Sequence, residues 1–213
     1  MRWWSENAIL TGRMSAPGVV DEAEERTLVE AAHRAMRRNG FSGATVADIL
    51  AEAGLSTRAF YRHFASKDEL LLAMYRRDSE AVASRVAARC NAAPTASAAL
   101  AAWLDEMLSL AYEPRRARRA AVLGSKAARR AEAYPDAEAA AVAAMVEPLV
   151  AVLERGRADG SFPLARPDVD GPTIHAVVWS LAADRLHGRP GPSRQDALAH
   201  ALRFVLPAIG ADG

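Results

Sequence analysis

The sequence predicts an all-α protein. Good helix formers dominate it, with 49 alanines among 213 residues and abundant Leu, Arg and Glu. Apolar residues recur at spacings of three and four along most of the chain. No run alternates β-branched and polar residues as a strand does. A chain of this length makes one or two domains and buries a core without disulfides or metals.

The elements follow in order. Residues 1–20 lack periodicity, contain Gly12, Pro17 and Gly18, and read as a disordered arm. A first helix is predicted from Glu22 to Asn39, with acids at its start and Arg37 and Arg38 at its end, as the helix dipole favours. Asn39-Gly40 reads as its stop. Thr45 with Asp48 reads as a variant capping box opening a short helix to Ala53. Gly54 breaks it, and Ser56 caps a second short helix over Thr57–Phe64. Ser66 with Glu69 is a full capping box that opens a long helix to about Asn91. Prolines and a Gly160–Pro172 stretch divide the rest into helices near 95–112, 115–133, 136–157, 171–187 and 194–209. Pro148 falls inside one of these and is expected to kink it.

Basic residues number 27 and acidic residues 26. This excludes a polybasic coat protein or an acidic solvating chain, but not a local basic face. The single cysteine, Cys90, forms no internal disulfide or Cys-based zinc site. It reads as a small buried filler. Met1–Asn7 has no apolar h-region, so no secretory signal is expected, and no stretch is apolar enough for a membrane span. A cytoplasmic location is the default.

The segment from Thr45 to Lys67 carries chemistry. Two short helices joined by a Gly-containing turn form a helix-turn-helix. Val46, Ile49, Leu50, Leu55, Phe60 and Phe64 can pack inward. That leaves Thr57, Arg58, Tyr61 and Arg62 facing outward, with no acid between Leu55 and Lys67. Such a helix suits a DNA major groove, where Arg reads guanine and small groups meet a thymine methyl. Tyr and Lys suit phosphates.

The same run resembles the signature of TetR-family transcriptional regulators. The matching features are Gly54 before the second helix, Phe60-Tyr61-x-His63-Phe64, and Ser66-Lys67-x-Glu69-Leu70, with the likeness covering about residues 22–75. The resemblance implies that Thr45 holds a phosphate and that Thr57, Arg58 and Ala59 face base edges. It places Tyr61 and Lys67 on phosphates. It sets Arg62 and His63 at the groove, with phosphate the favoured target; His63 has an equal alternative in a hydrogen bond that fixes the turn. Phe60 and Phe64 fall to the core.

The resemblance also implies a larger C-terminal domain for effector binding and dimerisation. The division is 1–20 arm, 21–68 DNA-binding domain with the helix-turn-helix, and 69–213 helical effector-binding and dimerisation domain. A homodimer would pair the last two helices with their copies through Val178, Leu181, Ala182, Leu198, Ala201, Leu202 and Val205. The middle helices would form a ligand-sensing core. Trp103, Met107, Tyr112, Met145, Phe162 and Trp179 suit an apolar pocket, with His175 as its polar group. The implied function is repression from a palindromic double-stranded operator, with release by a hydrophobic small-molecule effector.

Seven cations and no acid lie between Arg115 and Arg130. They read as a solvated helix face, with a second DNA patch or an anion site as alternatives. The competing class is a helical-bundle enzyme or small-molecule carrier. No GxSxG, HExxH, Walker or GxGxxG motif supports it, and the five histidines show no ligand spacing. No metal or cofactor is expected.

Overall fold

The computed structural model describes residues 17–123, 129, 133–186 and 188–211. Among these residues every regular element is a helix. They are α1 (Pro17–Gly43), α2 (Val46–Ala53), α3 (Thr57–His63), α4 (Lys67–Ala92), α5 (Ala96–Tyr112), α6 (Pro114–Leu123), α7 (Tyr134–Asp159), α8 (Pro167–Leu186) and α9 (Arg194–Ala208).

Side-chain caps set the starts of the short helices. Thr45 accepts from the Asp48 N–H at 3.1 Å while Asp48 accepts from the Thr45 N–H at 2.8 Å, a complete capping box. Ser56 caps α3 through the Ala59 N–H at 3.2 Å. Ser66 caps α4 through the Glu69 N–H, but Glu69 reaches back to the Ala65 N–H, one residue before the cap.

Several boundaries differ from the sequence reading. Residues 1–16 of the expected arm lie outside the described residues, and α1 opens at Pro17, a residue suited to a first turn. Asn39-Gly40 does not stop α1, which runs on to Gly43. One glycine costs a helix only about 1 kcal/mol. The helix α6 spans Pro114–Leu123; most of the remainder of the expected 115–133 helix, Lys126 and Arg130 of the cationic run included, lies outside the described residues. The helix α8 starts four residues before the expected 171. Its Gly171 is a packing feature: a Cβ there would lie 2.9 Å from Val150 Cγ2 of α7. The helix α7 continues through Pro148.

Two cores form. The N-terminal one joins Leu28, Ala32, Ala35 and Met36 of α1 to Ile49, Phe60 and Phe64, and is closed by Leu70, Leu71 and Met74 of α4. The larger one gathers Val82, Val86 and Cys90 of α4 with α5, α7, α8 and α9. The expected boundary at residue 68 therefore falls short of residues that complete the first core. Tyr75 packs against both. Between the two, Asp78 of α4 lies 3.5 Å from His33 of α1 and 3.4 Å from Arg119 of α6.

Candidate nucleic-acid interface

The helix α3 has only seven residues and is held from three sides. Phe60 and Phe64 enter the N-terminal core with ring centroids 5.8 Å apart. The turn before it uses Gly54 at φ 65°, a left-handed conformation that places its N–H on the Leu50 carbonyl. The helix α2 is pinned to α1 by Arg34 and Arg38, which grip Glu52 at 2.7 and 2.5 Å. Those hydrogen bonds hold the Glu52 carboxyl below its ordinary pKa.

This packing leaves one side of α3 in solvent. Thr57, Arg58, Tyr61 and Arg62 are all exposed. Among the described residues no hydrogen bond or ion pair engages Arg58, which stands one residue inside the helix. Thr45 is exposed at the start of α2, although its hydroxyl already donates to Asp48. Lys67, half-buried at the start of α4, gives one N–H to the Ala44 carbonyl at 2.5 Å.

Two residues of the expected contact set sit elsewhere. Ala59 is 7% exposed and belongs to the buried side of α3, so its methyl does not reach the outer face. The His63 side chain is 8% exposed and its Nε2 lies 3.2 Å from Glu24 Oε2. It ties α3 to α1 rather than to the turn. The same Glu24 carboxylate accepts from Arg62 Nη2, and Asp21 Oδ1 lies 3.6 Å from Arg62 Nε. Hydrogen bonds from His63 and Arg62 keep the Glu24 carboxyl below its ordinary range. The histidine spacing gave no sign of this cluster, because its members lie 38 and 39 residues apart.

The residues expected to line an effector pocket fall into a buried set and a half-covered set. Trp103, Met107, Met145 and Phe162 are buried in the larger core. His175 is buried, edge-on to Trp103 and stacked 6.3 Å from Trp179. Burial lowers its pKa below the usual histidine value. Tyr112 is half-buried with the Arg185 guanidinium 5.4 Å from its ring centre. Trp179 is 39% exposed. A groove of about 590 Å³ lies elsewhere, between α4 and α7. Ala83, Ala87, Ala144, Pro148, Ala151 and Val152 make its apolar wall, with Asn91, Glu147 and Arg155 adding polar groups.

Of the expected dimer residues, Val178, Ala182, Ala201 and Val205 are buried within the chain. Val178, Ala201 and Val205 pack α8 and α9 onto the rest of the larger core, because small and branched side chains fit close helix approaches. Leu181, Leu198 and Leu202 are only half-covered. The exposed apolar groups on these helices are Val169, 54% exposed, Trp179 and Phe204, 59% exposed, none of them on the predicted apolar stripes.

Two arginines of the cationic run are committed to acids. Arg116 reaches Glu106 at 2.7 Å and Glu113 at 2.8 Å, and Arg119 reaches Asp78. Glu106, 5% exposed, also receives Arg85 and Arg89 of α4 at 3.1 Å each. Burial alone would raise its pKa; the hydrogen bonds from the three arginines outweigh this and lower it. No helix of the described residues is long and apolar enough to cross a membrane.

Comparison with known proteins agrees with this layout. Residues 28–74 match the profile of the bacterial regulatory proteins of the tetR family. Over 53 residues the chain is 40% identical to the HTH-type transcriptional regulator YerO of Bacillus subtilis (strain 168), a match spanning 25% of this chain and 18% of YerO. A protein of Pseudomonas aeruginosa PAO1 assigned to the transcriptional regulators superposes over 94% of this chain and 95% of its own, with TM-score 0.73 and 20% identity. The regulator FadR from Bacillus subtilis, solved with stearoyl-CoA, does so over 86% of this chain and 98% of its own, with TM-score 0.70 and 15% identity. These structural likenesses establish a shared fold along most of the chain, and the family likeness is confined to the helix-turn-helix segment. Residues 28–74 thus carry the helix-turn-helix of the bacterial regulatory proteins of the tetR family.

Proposed function

We propose that this protein is a sequence-specific DNA-binding transcriptional regulator that acts as a repressor. The observation that carries the proposal is the outer side of α3. A short helix fixed by two buried phenylalanines presents Thr57, Arg58 and Tyr61 to solvent, with Arg58 unengaged among the described residues. A long planar donor left free on such a helix suits bidentate contact with guanine in the major groove. Thr45, Tyr61 and the Lys67 ammonium suit the flanking phosphates. Ala59 and His63 are set aside as direct contacts because they face the protein.

One such module reads few base pairs, so two copies on a palindrome are the natural arrangement, with half-sites about 34–36 Å apart or a multiple of that. The half-covered Leu181, Leu198 and Leu202, with exposed Trp179 and Phe204, favour pairing through α8 and α9.

An effector is part of the proposal. FadR, which shares the fold, was solved with stearoyl-CoA. In this chain the room favours the α4–α7 groove over the packed Trp103 region, and its wall favours a hydrophobic molecule. A ligand there touches α4, the helix that continues from the reading core into the larger one. It would shift DNA binding only by its differential affinity for the two states, about 1–3 kcal/mol.

The test is selection of bound duplexes from a random pool, followed by titration of the selected and a scrambled duplex at several salt concentrations. A two-fold symmetric selected sequence is expected, with binding that weakens steeply with salt. Equal affinity for both duplexes would refute sequence reading. A helical-bundle enzyme or carrier would show no salt-dependent preference, and the helix-turn-helix of a regulator family argues against it.

A further inference from the structure

The two arginines on the outer side of α3 are treated differently. Arg58 has no partner among the described residues, whereas Arg62 is held by Glu24 and faced by Asp21. The acids come from α1, 38 residues away from Arg62 for the Glu24 bond, so local helix stability does not account for the pairing. Nor does the pairing locate α3, which Ala59, Phe60 and Phe64 already seat in the core. Ligand atoms of Asp21, Glu24 and His63 lie within 4.8 Å of one another, a set that could hold a cation. The Arg62 guanidinium already supplies that positive charge. Two carboxylates around one guanidinium also imitate the oxygens of a phosphate diester.

We propose that Glu24, backed by Asp21, is an internal stand-in for DNA phosphate. It holds Arg62 in the free protein and yields it to the DNA backbone on binding. Glu24 is thus a positioning residue that restrains affinity for DNA of any sequence while leaving the choice of sequence to Arg58 and Thr57. The pair is exchangeable because its arginine is open to solvent: the Arg62 side chain is 49% exposed and that of the backing Asp21 56%, while Glu24, beneath them, is 25% exposed. Exposed ion pairs are weak, and a polyanion that releases its counterions competes well against one. This inference rests on the DNA-binding reading above.

The test compares wild type, Glu24→Gln, Arg62→Ala and the double variant, each checked for folding by thermal melting. Affinity is measured by fluorescence anisotropy for a selected and a scrambled duplex. Gln keeps an acceptor oxygen for His63 and removes only the charge. Glu24→Gln is expected to tighten both duplexes alike, by about two- to five-fold, and to leave their affinity ratio unchanged. The gain should vanish in the Arg62→Ala background. Asp21→Asn gives a second, smaller test in the same direction. Unchanged or weakened binding by folded Glu24→Gln overturns the inference, as does an equal gain without Arg62, which would mark general charge removal. If wild type itself shows no preference between the duplexes, the DNA-reading proposal fails first and takes this one with it. If wild type discriminates and Glu24→Gln does not tighten binding, only this inference fails.

Discussion

Trp103 donates its indole Nε1–H to the main-chain carbonyl of Met145 at 2.9 Å, joining α5 to α7 inside the larger core. Both residues are buried, so no water can replace the bond if the donor is removed. Trp103→Phe removes the donor and part of the ring volume. We expect a loss of about 2–4 kcal/mol in urea unfolding, with no change in the DNA sequence preferred. A loss below 0.5 kcal/mol, a figure on the order of a surface change, would show that the core relaxes around the smaller ring.

Arg58→Ala should weaken binding of the selected duplex by about 1–3 kcal/mol and relax preference at one base pair per half-site. Arg58→Lys keeps the charge but loses the planar fork, so it should recover affinity for scrambled DNA more than it recovers discrimination. Equal weakening on every sequence by Arg58→Ala would make this residue a phosphate contact.

The Glu106 carboxylate is the shared acceptor of Arg85, Arg89 and Arg116. Its folded pKa lies below the ordinary 4.5. Its contribution is therefore complete above the unfolded value and is lost as pH falls from there through the folded value. Glu106→Gln leaves guanidiniums facing a neutral amide. Because those arginines are partly in water, the cost is discounted to about 1–3 kcal/mol at pH 7. Melting curves for wild type and variant should converge below pH 4.5, and parallel curves would contradict the assignment.

His175 works in a higher window. Burial depresses its folded pKa below 6.5, so the unfolded chain takes up the proton first as pH falls. Stability is full above 6.5 and declines below it, through the folded value. His175→Phe should flatten this limb of the wild-type profile while leaving the limb near pH 4 in place. Chemical denaturation between about pH 5 and 7.5, bracketing the usual histidine range, reads the difference.

Gly54→Ala places a Cβ at φ 65°, with open space around it. Only backbone strain opposes it, about 1–2 kcal/mol. The melting temperature should fall, and DNA affinity at low temperature should stay near wild type if the turn keeps its shape.

Where a structural decision is local, the sequence discloses it. Thr45, Ser56 and Ser66 mark the starts of α2, α3 and α4 because a capping hydroxyl binds an N–H three residues on. The outward set Thr57, Arg58, Tyr61 and Arg62 follows from helical periodicity with Phe60 and Phe64 turned inward. Decisions that need a distant partner stay hidden. Nothing near Arg62 points to Glu24, and nothing near Glu106 announces three arginines. Small residues mislead for a related reason. Ala59, Ala182 and Ala201 fit equally well against a neighbouring helix of the same chain, a second copy or a base edge, and only packing decides. Gly40 and Gly171 look like helix ends but lie within helices, one tolerated and one needed for contact between α7 and α8. Large aromatics point to a hollow around Trp103, where Trp103, Met107 and Phe162 are buried; a groove also borders the alanines of α4 and α7, which no aromatic marks.

The helix α4 lends Leu70, Leu71 and Met74 to one core and Val82, Val86 and Cys90 to the other. A fragment cut after residue 68 would expose the undersides of Phe60 and Phe64 and fail to fold as a free-standing reader. Grafting this reading head onto a foreign body therefore requires carrying α4 through Met74, with the seam placed before Val82. A seam there inherits the angle of the helix, so chimeras differing by one inserted residue should rotate the head by about 100° and lose two-site binding while each half still folds.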